Sequence, residues 1–102
     1  MKEICKTYLN EQFGGDEDII GEIYNEYVAS LDEKIAEAKD ALAAGDWTKL
    51  DKAAHTIKGN ALAAGDTEMA DKAIALRNVA KLQSADTAAD YIADLAELRN
   101  IL

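Results

Sequence analysis

Proline is absent from this 102-residue chain, and cysteine and histidine occur once each. Without proline, only glycine interrupts a long helix. The single cysteine, Cys5, has no partner for an internal disulfide, and with one histidine it cannot build the usual nitrogen and sulfur cage for zinc. Its spacing to Leu9 and Phe13 fits an apolar helical stripe, so a small buried or half-buried thiol is expected. Aromatic residues make up only 6% of the chain against 49% hydrophobic residues in all, which leaves alanine and the aliphatic side chains to supply the core. β-Branched and aromatic residues never gather into alternating runs, and a sheet is not expected. Basic residues are also scarce: eleven face twenty acidic ones, for a net charge of −9. That balance repels nucleic acid and anionic lipid surfaces, and neither is expected as a partner. No stretch approaches the roughly 18 uncharged apolar residues of a membrane span. The amino terminus shows no signal-peptide pattern, and a cytoplasmic location is expected. No glycine-rich nucleotide loop is present, so no ATP site of its own is expected.

What the chain does contain is a regular punctuation. Gly15-Asp16, Gly45-Asp46 and Gly65-Asp66 each pair a residue suited to the left-handed end of one helix with an N-cap for the next. A further corner is expected near Ser84, Ala85 and Asp86, where Ser84 or Asp86 would cap. These corners delimit a short amphipathic helix over about Lys2 to Gln12 and four longer ones. The first long helix, Glu17 to Ala44, carries Ile20, Ile23, Tyr24, Tyr27, Leu31, Ile35, Ala38 and Leu42 at steps of three and four, a stripe that faces a core. The second runs from Trp47 to about Ala63. The third carries Met69, Ala73, Leu76 and Ala80, and the last Tyr91, Ile92, Leu95, Leu98 and Leu102. Short connections make successive helices antiparallel. The expected fold is all-α, an up-down-up-down four-helix bundle with a small helix added at the start, one domain over residues 1–102.

The only histidine, His55, falls on the outer face of its helix. Each residue turns about 100° from the last, which places Leu50, Ala53, Ala54, Ile57, Ala61 and Ala64 on one face. Thr48, Asp51, Lys52, His55, Lys58, Gly59 and Leu62 fall on the other. A phosphoryl-accepting imidazole must be reachable by another protein, neutral enough to attack, and free of crowding once it carries a dianion. An unperturbed imidazole titrates near about 6.5 and supplies the neutral form at cytoplasmic pH. Gly59, one turn beyond, removes a side chain at a helical position where glycine costs about 1 kcal/mol relative to alanine. Clearance beside the ring is a reason for that cost. Lys58 places an ammonium within reach of a phosphoryl group on His55, and Lys52 flanks the other side. Leu62 offers an apolar docking contact, and Thr48 and Asp51 complete the same surface.

The run His55, Ile57, Lys58, Gly59 and Gly65 resembles the signature of histidine-containing phosphotransfer (HPt) domains: His-x-Leu-Lys-Gly, with another glycine six positions later. Phe13-Gly14-Gly15-Asp16 and Ala43-Ala44-Gly45-Asp46-Trp47 are similar to the family as well, and the resemblance covers nearly the whole chain. It implies that His55 takes a phosphoryl group on Nε2 from the aspartyl phosphate of one receiver domain and hands it to the aspartate of another. The expected partners are the receiver of a hybrid sensor histidine kinase and that of a response regulator, met by a monomer in transient complexes. By the same resemblance Lys58 stabilises the phosphoryl group, Gly59 keeps access open, and Gly65 closes the helix for tight packing. No cofactor of the chain's own is expected; Mg2+ comes with the receiver. Ile57 in place of leucine and Asn60 in place of the frequent serine are minor departures.

Gly14-Gly15-Asp16-Glu17-Asp18 also matches four of the five residues of the Gly-Gly-Asp-Glu-Phe motif of cyclic-dinucleotide synthases. That motif belongs on a β-hairpin, and a helix stop followed by a helix start is the expected reading here. Two other functions remain open on sequence grounds. One is a bundle that sequesters a receiver or kinase without being phosphorylated. The other is the phosphorylatable domain of a chemotaxis-type kinase.

Overall fold

A computed structural model describes all 102 residues. It contains five helices and no strands: α1 (Glu3–Phe13), α2 (Glu17–Ala44), α3 (Trp47–Ala63), α4 (Thr67–Leu82) and α5 (Ala85–Asn100). The corners form as the glycine and aspartate chemistry requires. Asp16 accepts a hydrogen bond from the Ile19 N–H, Asp46 from that of Lys49, and Asp66 from that of Met69. Each thus satisfies one of the free N–H groups at a helix start. The last corner differs. Ser84 is the N-cap residue of α5 but makes no capping bond; its hydroxyl donates instead to that of Thr87, 3.1 Å away. Within the Gly14 to Asp18 segment, Gly14 to Asp16 join α1 to α2 and Glu17 and Asp18 open α2, with no strand on either side.

The helices share one core of 23 buried residues. The stripe expected on α2 is buried from Ile20 to Ala38, with Ile23 and Leu42 half-buried at its margins. Among α2 to α5, each helix packs against two others in the order α2, α3, α4, α5 and back to α2, while the diagonal pairs have no Cα atoms within 8 Å. The molecule measures 43 × 20 × 18 Å. At about 1.5 Å per residue, the 28 residues of α2 set that long dimension. Alanine lines much of the core, which lets neighbouring helices approach closely.

Helix α1 closes one end. Its Cys5 and Leu9 are fully buried, and Lys2, its N-cap residue, reaches Asp66 at 3.0 Å and Glu68 at 3.2 Å. Burial opposes the Lys2 charge, but hydrogen bonds to Asp66 and Glu68 outweigh it and hold the ammonium above the usual lysine range. Asp66 is the one charged residue in the core; its other carboxylate oxygen accepts from the Tyr27 hydroxyl at 2.7 Å. Burial first, and then the nearby Asp66 charge, push the Cys5 thiol from 9.0 up to about 11. Burial and the hydrogen bond to Asp66 likewise push the Tyr27 phenol up. A group whose folded pKa lies above its unfolded one contributes stability that is whole below the unfolded value and is lost as pH rises through the folded one. The melting temperature should therefore fall between pH 9 and 11, and less steeply in Cys5→Ala. Parallel slopes in a thermal melt series would contradict this reading.

Candidate functional site

The orientation of His55 follows from the stripe behind it. Leu50, Ala53, Ala54, Ile57, Ala61 and Ala64 are all buried, which fixes the rotation of α3 and turns His55 to solvent. The imidazole is exposed, as are Thr48, Lys52, Gly59 and Leu62, while Asp51 and Lys58 are half-buried. Neither Lys52 nor Lys58 has a carboxylate within ion-pair distance, so both ammonium groups, three residues to either side of His55, are uncommitted.

The two glycines of the motif sit in opposite surroundings. A Cβ added at Gly59 would meet nothing within 4 Å. Close helix packing is therefore not the reason for a glycine there. At Gly65 the backbone is left-handed, with φ +75°, and a Cβ would run into the Tyr8 side chain. Both the turn and the approach of α1 require that glycine.

One residue at the site escapes the sequence reading. Arg77 of α4 places Nη1 3.0 Å from His55 Nδ1, Nε 3.0 Å from Asp51 Oδ1 and Nη2 3.5 Å from Asp51 Oδ2. Asp51, expected as part of the docking surface, is thus engaged within its own molecule. The Arg77 hydrogen bond holds its carboxyl below the usual carboxylate range, against the opposing effect of burial. A guanidinium only donates, so Nδ1 of His55 is the acceptor. Arg77 is separated from His55 by 22 residues, and no local spacing links them. Its signal is chemical: the chain has only two arginines, and each makes a two-pronged contact with an aspartate, Arg99 with Asp32 at 2.7 and 3.1 Å.

Toward the α1 end the exposed face continues into an open cleft lined by Leu62, Gly65, Ile4 and Tyr8. Leu62 keeps 49% of its surface and Ile4 40%, so α3, two turns beyond His55, and α1 both present apolar side chains to that cleft. Away from this site, no helix is long and apolar enough to cross a membrane.

Comparison with protein families gives a match to the Hpt domain over residues 22–102. No curated protein and no solved structure matches. The matched stretch holds α3 with His55 and nearly all of α2, and leaves α1 outside. Hpt domains carry out histidine phosphotransfer in two-component signalling, as phosphocarriers without an ATP site of their own, and interact with receiver domains. Since the match takes in most of the sequence, from the first turns of α2 to the last residue, this chain belongs to the Hpt domain family.

Proposed function

We infer that the chain is a phosphotransfer protein of a multistep phosphorelay. His55 accepts a phosphoryl group from the aspartyl phosphate of a hybrid sensor kinase's receiver and passes it to the aspartate of a response regulator's receiver. The observation that carries this reading is the outward-facing His55, the chain's only histidine, beside a helical glycine that packing does not require. The bundle is antiparallel, up-down-up-down, and forms a single domain with α1. Short corners and the cyclic order of helix neighbours support that topology.

In the transfer, Nε2 of neutral His55 attacks phosphorus in line with the departing carboxylate oxygen. Lys58, unpaired and one turn away, offsets the charge arriving on the ring. The Mg2+ of the reaction is assigned to the receiver, as the family resemblance implies. Thr48, Lys52 and Leu62 form the docking surface around the ring. One surface serving two partners in turn calls for transient complexes of a monomer, and the cytoplasm is the compartment where such receivers are met.

The test is incubation with a panel of phosphorylated receivers. At least one should label the chain, and the label should be lost in acid and survive alkali, as phosphohistidine does. Labelling only from ATP with a separate catalytic domain would contradict the relay role and favour a chemotaxis-type kinase domain. A stable receiver complex that forms without any transfer would favour sequestration.

Gly59 gives a second, separable result. With open space at its Cβ, Gly59→Ala should stabilise the chain by about 0.5–1 kcal/mol, a gain of a few degrees in Tm. Gly59→Gln should slow phosphoryl transfer from a receiver while the melt stays near that of Gly59→Ala. Unchanged transfer rates would contradict the clearance argument.

A further inference from the structure

The contact between Arg77 and His55 sets a condition on the chemistry. A neutral imidazole carries one proton, and the nitrogen that accepts a hydrogen bond is the one without it. Arg77 Nη1 lies 3.0 Å from Nδ1 and has no lone pair to offer, so the proton of the neutral ring resides on Nε2. A protonated Nε2 cannot attack phosphorus. Attack requires that the Arg77 contact open and the proton move to Nδ1.

After transfer the relation reverses. A ring phosphorylated on Nε2 and otherwise neutral has its remaining lone pair on Nδ1, which is the acceptor Arg77 needs. The guanidinium is not free to drift. Asp51, one turn before His55, grips it through Nε and Nη2, so α3 and α4 together aim it at the ring.

We propose that Arg77, held by Asp51, is a positioning residue that retains the phosphoryl group on His55 by keeping Nδ1 unprotonated. The proposal rests on His55 being the acceptor. In the forward step the Nε2 lone pair forms the N–P bond, and the aspartyl oxygen leaves with the P–O electron pair as carboxylate. The Nδ1 proton then passes to water as Arg77 returns. In the reverse direction, or in hydrolysis, Nδ1 must first take a proton from water. The N–P bond then breaks with its electrons on Nε2, and a neutral imidazole leaves. Arg77 opposes that protonation and so slows loss of the group to water, at the cost of slower acceptance and release. A docking receiver that draws Arg77 away would lift both restraints.

The charged groups around the ring are consistent with this role. From α3 come Asp51, Lys52 and Lys58, and from α4 come Arg77 and Lys81, whose charge is felt at Asp51. The ion pairs of α2 near its middle, Lys34 with Glu33 and Glu37, run along that helix and do not reach His55.

The test labels the full chain with phosphoramidate, a small phosphoryl donor, locates the label by mass spectrometry, and follows its loss across pH 5 to 9 by 31P NMR. Arg77→Gln should lose the group roughly tenfold faster near neutrality, about what one lost charge-assisted hydrogen bond is worth, with loss accelerating from a higher pH. Asp51→Asn should change the profile in the same direction by less. Nitrogen-15 shifts of unphosphorylated wild type should show the ring proton on Nε2, with the Nδ1–H form growing in Arg77→Gln. A wild-type ring protonated on Nδ1, or coincident loss profiles for wild type and Arg77→Gln, would overturn the proposal alone. No label on His55 in wild type would overturn the acceptor assignment and this inference with it.

Discussion

Glutamine in place of His55 should reduce labelling by a phosphorylated receiver to background and leave the helix content unchanged. The side chain is exposed and contributes nothing to the core behind it, so the change in stability should stay within about 0.5 kcal/mol. Glutamine is uncharged, suits a helix and offers an amide oxygen to Arg77, which preserves the shape of the Asp51 pair. What it lacks is a nitrogen lone pair. The neighbouring groups provide no substitute: the ammonium groups of Lys52 and Lys58 are donors only, and the Thr48 hydroxyl has no base beside it. The loss should therefore be complete rather than graded, read as counts on the isolated chain with circular dichroism as the folding control. Label persisting in His55→Gln would mean that another residue is the acceptor.

The largest effect on stability is expected at the opposite kind of residue, one sealed inside. Asp66 is 0% exposed and accepts from Lys2 Nζ, the Tyr27 hydroxyl and the Met69 N–H. One carboxylate thus joins α1, α2 and the start of α4. Asp66→Ala would leave Lys2, whose side chain is only 10% exposed, with the more exposed Glu68 as its one carboxylate partner, leave a phenol hydroxyl without its partner, and remove a helix cap. Breaking one half of a buried ion pair costs about 3–5 kcal/mol, and a cap about 1 kcal/mol. The two overlap because one side chain provides both, and Glu68 keeps part of the Lys2 pairing, so about 3 kcal/mol, the lower end of that range, is the expected total. In a domain of this size that is a fall in Tm on the order of 20 °C. Asp66→Asn keeps an acceptor for Tyr27 and should lose less. A melt of Asp66→Ala within a few degrees of wild type would contradict this account of how α1 is held.

These two residues also show what the sequence discloses and what it does not. His55 is legible because its neighbours on one helix fix which way it faces, and a period of 3.6 residues is a local property. The boundaries of α2 and α3 are legible for a similar reason: Gly45 and Asp46 end one helix and start the next within two residues. Asp66 is only half legible. Its cap to Met69 follows from the Gly-Asp pair, but its bond to Lys2 spans 64 residues and depends on how α1 packs across the end of the bundle. Arg77 is hidden likewise, since its contact requires the relative rotation of α3 and α4. At Ser84 the residue type suggests a capping bond that the fold does not make; its hydroxyl is turned to that of Thr87 instead. The short first helix falls one residue later than its apolar stripe suggests, at Glu3–Phe13, with Lys2 drawn out to Asp66.

The measurement that bears most directly on the carrier role is a chase. The chain is labelled from one phosphorylated receiver, separated from it, and mixed with a second, unphosphorylated receiver. The label should leave His55 and appear, alkali-labile, on the second receiver's aspartate, with no ATP present. A label that stays on the chain, or that is released only as free phosphate with every receiver tried, would contradict a relay that passes through His55.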